Sequence, residues 1–183
     1  MIKYLTIPNF LTIDECNSLL IKCKEELVLK NATIRNGELD VKSRKSSVAF
    51  ISDLGWLNGK LQNTLLENIK VNGFDVTSLG SFQFTEYNKG EFYKWHTDND
   101  NKSNQFDGRY FSCVIQLNDE YSGGKLELRV DDTDITLKSE IGTLYMFSSY
   151  LLHRVTEVTS GTRYSLVNWV SLEKNKTYNT SLI

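Results

Sequence analysis

Two histidines are the whole imidazole supply of this chain, and their surroundings suggest metal chemistry. His96 is followed two residues later by Asp98 in the run Lys94-Trp95-His96-Thr97-Asp98, and His153 stands in Tyr150-Leu151-Leu152-His153-Arg154-Val155. On a strand, residues two apart share a face, so an imidazole nitrogen and a carboxylate oxygen can reach one ion. His153 begins a strand-like run able to lie opposite the first in an antiparallel sandwich. Two imidazoles and one carboxylate form the facial ligand set of non-haem iron(II) sites, with three positions left open. Taken singly, His-x-Asp is a weak signal, and each histidine also reads as an ordinary packed or surface residue.

Arg163 adds a third feature, ten residues after His153 and on the next predicted strand. Oxidation at an iron(II) centre needs a two-electron reductant. A chelating keto acid such as 2-oxoglutarate supplies it, and a guanidinium fork suits the remote carboxylate. His153 and Arg163 on neighbouring strands can hold opposite ends of one such molecule. Arg163 alone also reads as a surface residue after the Ser160-Gly161 turn.

The elements that must position these residues divide into a helical front and a β-rich back. Thr12 with Glu15 three residues on is a capping-box signal for a helix from about 13 to 29, with Leu19, Leu20, Cys23 and Leu27 on one face. Residues 30–47 are polar and basic and read as a loop. A short strand follows at 47–51, then a helix over about 54–70 with Leu57, Leu61, Leu65 and Ile69 spaced at four.

From residue 79 the period falls to two, beginning with the alternation Ser81-Phe82-Gln83-Phe84-Thr85-Glu86-Tyr87. Further strands are predicted at 92–97, 110–118, 124–130, 133–138, 142–148, 152–158 and 163–171. Turn residues such as Asn88-Lys89-Gly90 and Gly123-Gly124 separate them. The fold expected is mainly β with flanking α, an antiparallel jelly roll with the front helices packed on one sheet. A single domain is expected over 1–183: helical support and approach strand at 1–75, core at 79–172 and a polar tail at 173–183.

The formal net charge of −2 disfavours a generally basic nucleic-acid binder. No run of roughly twenty apolar residues offers a membrane span. The start, MIKYLTIPNF, lacks the apolar stretch of a signal peptide. Cys16, Cys23 and Cys113 are odd in number and without zinc-knuckle spacing, so they read as reduced core thiols of a cytoplasmic protein. Nothing in the sequence specifies an oligomeric state.

Three segments together resemble the 2-oxoglutarate/Fe(II) dioxygenases, in their prolyl 4-hydroxylase-like branch. They are FTEYNKGEFYKWHTDND at 84–100, FSCVIQLNDEYSGGKLEL at 111–128 and GTLYMFSSYLLHRVTEVTSGTRYSLVNWV at 142–170, covering about half of the chain. The stretch from Arg44 to Phe50 is similar to the family's approach strand. The resemblance implies a double-stranded β-helix in which His96, Asp98 and His153 bind iron(II) and Arg163 pairs with the far carboxylate of 2-oxoglutarate. It further implies that Tyr87, Leu126 and Trp169 line the co-substrate pocket. Gln116 stands where some relatives carry a tyrosine that helps hold that carboxylate.

The cofactors implied are Fe(II), 2-oxoglutarate and O2, with ascorbate as a candidate auxiliary reductant. The reaction implied is C–H hydroxylation with release of succinate and CO2. Relatives that halogenate lack the carboxylate that Asp98 supplies. The substrate class implied is a side chain of a protein or peptide, with proline first and small metabolites open. Nucleic-acid demethylases of the superfamily usually carry a second arginine six residues after the first, where this chain has Trp169. A non-catalytic jelly-roll module would require the histidines and Arg163 to be coincidental. Two polar stretches, 42–45 and the 99–108 flap, are expected to border the open side of the metal site.

Overall fold

The computed structural model of the chain describes residues 3–34, 37–69, 74–99 and 109–174, with backbone alone at 74–77 and 173–174. The front half contributes β1 (Tyr4–Ile7), α1 (Ile13–Glu26), β2 (Lys30–Asn31), β3 (Arg44–Lys45), β4 (Ser47–Ile51) and α2 (Trp56–Asn68). Next come β5 (Phe74–Leu79), β6 (Phe82–Tyr87), β7 (Phe92–His96), β8 (Arg109–Gln116), β9 (Tyr121–Gly123) and β10 (Leu126–Val130). The chain continues through β11 (Thr133–Thr136), β12 (Leu144–Ser148), β13 (His153–Val155), β14 (Val158–Gly161) and β15 (Arg163–Lys174).

These strands form a large sheet in the order β1-β12-β8-β15-β6-β4-β2, with β5 also on β15, and a smaller sheet in the order β11-β10-β13-β7-β3. A two-stranded ribbon pairs β9 with β14. Every pairing is antiparallel. This is the expected jelly roll, with more strands than the period-two reading found. The 30–47 stretch, read as a loop, contains β2 and β3, because even two-residue strands complete sheet edges here. The tail boundary also shifts, since β15 runs on to Lys174 and pairs with β5 there.

Alternation along the strands of the large sheet separates two cores. Phe82, Phe84, Cys113, Ile115, Met146 and Leu166 face outward and pack under the helices. From α1, Cys16, Leu19 and Cys23 meet them at helical spacing; from α2, Leu57, Leu61 and Leu65 do so. Each fully buried leucine contributes roughly 1.5–3 kcal/mol. Thr12 caps α1 as its sequence indicates: its hydroxyl accepts from Glu15 N at 3.1 Å, and its own N–H donates to Glu15 Oε2 at 2.8 Å. The opposite face of the large sheet turns Val114, Tyr145 and Phe147 toward Leu126 and Leu128 of the smaller sheet. The site lies between these two sheets.

Candidate metal centre

His96 and His153 are direct cross-strand partners on β7 and β13. They are neighbours in one sheet, not opposed across the sandwich as the sequence suggested, and adjacency brings the rings to 4.1 Å between centroids. Asp98 lies just past the end of β7 rather than on it. Its position is set by the backbone: the N–H groups of Asp98 and Asn99 both donate to Ser149 O, at 3.0 and 2.9 Å. The ligand atoms of His96, Asp98 and His153 all lie within 4.8 Å of one another.

Each imidazole is oriented locally. His96 Nδ1 bonds Lys94 O at 2.8 Å and His153 Nδ1 bonds Leu151 O at 2.9 Å. A carbonyl can only accept, so Nδ1 carries a proton in both rings and Nε2 is the nitrogen turned toward the site. The two Nε2 atoms approach Asp98, His96 to Oδ1 at 3.8 Å and His153 to Oδ2 at 3.5 Å. Burial, reinforced by neighbouring His153, pushes the His96 pKa down to about 3, so the ring is neutral at ordinary pH. Burial raises the Asp98 carboxyl, but His153, His96 and Ser112 outweigh it and hold the group below the usual carboxylate range.

Asp98 Oδ2 accepts from Ser112 Oγ at 2.6 Å and from Trp169 Nε1 at 2.9 Å. Ser149 Oγ lies 2.9 Å from Ser112 Oγ and completes a short hydroxyl chain. Two donors occupy Oδ2, which leaves Oδ1 the freer oxygen.

A β-bulge shapes the other side. Between the pairs His153–His96 and Val155–Tyr93, β7 spends three steps against two on β13. The extra residue brings Tyr93 and His96 onto one face, where strict alternation would oppose them. Their rings stack at 3.5 Å. Trp95 projects instead between Arg129 and Arg154, whose guanidinium carbons lie 4.6 and 4.7 Å from its ring.

A cleft of about 350 Å³ takes in the triad and Arg163 together, with Tyr87, Leu126 and Trp169 in its wall. Arg163 opens β15 in the large sheet, so it faces His153 across the sandwich instead of on a neighbouring strand. It is 2% exposed, and Nη1 donates to Ser165 Oγ at 3.0 Å. Its buried Nε has no hydrogen-bond partner among the described residues. The Tyr87 ring, its register partner on β6, lies 5.5 Å away.

Gln116 is not part of the wall: its amide donates to Asn118 O at 2.7 Å and, at 3.4 Å, to Tyr164 O, which ties down the strand end. Ser112, Ser149, Ser165 and Tyr93 were not among the sequence candidates. Ser112 and Ser165 carried a faint signal, as small hydroxyls on the inward phase of apolar strands.

Of the two stretches expected at the mouth, Arg44 of the first lines the cleft beside Thr33 and Ile34. The flap at 99–108 lies outside the described residues except Asn99; Arg109, just beyond it, lines the cleft.

Residues 82–171 match the 2OG-Fe(II) oxygenase superfamily. The chain belongs to that superfamily. A PKHD-type hydroxylase of Crocosphaera subtropica is 27% identical over 183 residues, covering 91% of this chain and 77% of the relative. A second, from Synechococcus sp., is 32% identical over 96 residues, 52% of this chain and 43% of that one. The chain thus spans less than half the length of the latter. Among solved structures, a Trichoplax adhaerens prolyl hydroxylase in complex with a hypoxia inducible factor peptide fragment superposes with a TM-score of 0.79 at 20% identity. That match covers 92% of this chain and 83% of the other. Such a likeness speaks for the double-stranded β-helix fold.

Fe(II), 2-oxoglutarate and O2 are the cofactor set of the superfamily. The donors here fit it. Two imidazole nitrogens and a carboxylate oxygen suit iron(II), and the orphaned Nε of Arg163 suits a carboxylate that arrives with the co-substrate.

Proposed function

We propose that this chain is an Fe(II)- and 2-oxoglutarate-dependent hydroxylase. Iron is held by His96 Nε2, Asp98 Oδ1 and His153 Nε2, and the remote carboxylate of 2-oxoglutarate by Arg163. The observation that carries this reading is the pairing of two carbonyl-pinned imidazoles around Asp98 with a buried guanidinium in one cleft. When bound, iron and 2-oxoglutarate supply the oxidising power for C–H hydroxylation, with succinate and CO2 as co-products.

The chain's own groups bind and orient. Ser165 Oγ accepts from Arg163, so its O–H remains to donate to the same carboxylate. Tyr87 supports the guanidinium from the adjacent strand. Val114, Leu126, Phe147 and Val167 give the middle of the cleft an apolar wall that keeps water from the reacting carbon. Ser112 and Trp169 fix the Asp98 carboxylate. Gln116 does not hold the carboxylate, because its amide is already committed to backbone carbonyls.

For the substrate, we favour a side chain of a protein or peptide, proline first, in keeping with the prolyl hydroxylases that share the fold. A free amino acid or small metabolite is the alternative. A cytoplasmic location accords with three buried free thiols. Among the described residues, no helix is long and apolar enough to cross a membrane. The test is anaerobic Fe(II) titration followed by 2-oxoglutarate turnover with succinate as the readout. Wild type should bind one iron and form succinate, and His153→Ala should lose both while keeping its far-ultraviolet circular dichroism. Turnover that persists in His153→Ala would remove the metal assignment.

A further inference from the structure

Charge in the cleft does not balance on the groups assigned so far. Among the described residues its wall carries two almost fully buried guanidiniums, Arg44 and Arg163, against one carboxylate, Asp98. On the function proposed above, Arg163 receives one carboxylate of 2-oxoglutarate. Asp98 and the other carboxylate together offset the iron(II) charge. Arg44 is then left over.

Arg44 is not a surface residue: it is 8% exposed. Its Nε donates to Ser46 Oγ and its Nη1 to Thr33 O, both at 3.0 Å, and its guanidinium carbon lies 4.6 Å from the Tyr93 ring centre. These partners are neutral, and among the described residues no carboxylate pairs with it. Burying a guanidinium without a counter-ion is costly, and the cost falls when an anion completes the pair. The position is also informative. Tyr93 is stacked between cross-strand partner Arg44 and ring neighbour His96, so the cation sits one aromatic ring away from the triad. Ile34 and the exposed Phe50 line the same cleft and offer apolar contact within it.

We infer that Arg44 is a specificity-determining residue that receives a carboxylate of the prime substrate, so the hydroxylated molecule is an acid at a position close to the oxidised carbon. This rests on the function proposed above. The carboxylate can come from a free amino acid, from a peptide C-terminus or from an acidic side chain, all of which present the same anion to the guanidinium fork.

The test uses the full chain loaded anaerobically with Mn(II) and 2-oxoglutarate, and reads binding by calorimetry. The probes are free L-amino acids with their amides, N-acetylglycyl dipeptides with free or amidated C-termini, and amide-capped tripeptides centred on Asp or Glu. At least one acid should bind tenfold or more tightly than its uncharged match, and the arm in which it falls names the source of the carboxylate. In Arg44→Gln that ratio should approach one, and Arg44→Lys should restore part of it. Amides that bind as tightly as acids throughout, or a panel with no carboxylate-dependent member, overturn the inference without any variant. A ratio that survives in folded Arg44→Gln does so as well. Failure of wild type to take up Mn(II) and 2-oxoglutarate would instead bring down the underlying function, and this inference with it.

Discussion

The indole Nε1 of Trp169 donates to Oδ2 of Asp98 at 2.9 Å, although the two residues belong to different sheets of the sandwich or their loops. On the function proposed above, an aromatic expected merely to line the pocket becomes a positioning residue for a metal ligand. Groups that orient metal ligands typically contribute 10- to 100-fold to metal affinity. Trp169→Phe and Ser112→Ala should each weaken Mn(II) binding by about that factor, with the Mn(II) electron-paramagnetic signal altered as Asp98 gains freedom. Unchanged affinity and signal in both variants would reduce the contacts to packing.

On the function proposed above, substituting Arg163 separates co-substrate binding from metal binding. Arg163→Ala should raise the 2-oxoglutarate KM by roughly 10- to 100-fold, the range for a charge-assisted hydrogen bond of about 1.5–3 kcal/mol. Mn(II) affinity should change little. Equal losses in both would mean that the side chain, 2% exposed, supports the fold instead.

Gly124 has a φ of +55° and lies against Arg163. An added Cβ would stand 2.9 Å from Val158 Cγ2 and 3.2 Å from Arg163 Cδ. Gly124→Ala should cost about 1–2 kcal/mol through the left-handed backbone alone. By displacing the guanidinium it should also raise the 2-oxoglutarate KM. A lower urea midpoint with an unaltered KM would show that the turn serves stability only.

How much of this was legible beforehand differs by residue. The triad and Arg163 stood out because their residue types are scarce or their spacing fits three linked segments. The cap of α1 was readable because Thr12 and Glu15 are local in sequence. What escaped depends on distant pairing. The bulge that turns Tyr93 toward His96 exists only when β13 is laid beside β7. The Asp98 anchorage needs Ser149, Ser112 and Trp169, which are 14 to 71 residues away. Period-two reasoning also treated His96 and Asp98 as same-face neighbours on a strand, whereas backbone bonds to Ser149 hold Asp98 past the strand end.

The buried thiols give a pH prediction. Burial pushes Cys16 and Cys23 up to about 11 and Cys113 up to about 12. Unfolded thiols ionise near pH 8.5. An acid with a raised folded-state pKa releases its proton first from the unfolded chain. The stability concerned is therefore complete below about pH 8.5 and is lost as pH rises toward 11–12. Each suppressed thiol contributes a loss of about 1.4 kcal/mol per pH unit in that window. Urea midpoints from pH 7 to 10.5 should fall less steeply in the triple Cys→Ala variant than in wild type. Parallel slopes would assign the alkaline limb to other groups.

β15 carries Arg163, Ser165, Val167 and Trp169 into the cleft on alternate residues and hydrogen-bonds β5, β6 and β8 along its length. A slip of one residue in that pairing would reverse all four side chains at once. Co-substrate anchor and carboxylate clamp would vanish together, leaving no half-competent intermediate. Activity in partially destabilised variants should therefore track the fraction of molecules in correct register, all or none, instead of declining by degrees within each molecule.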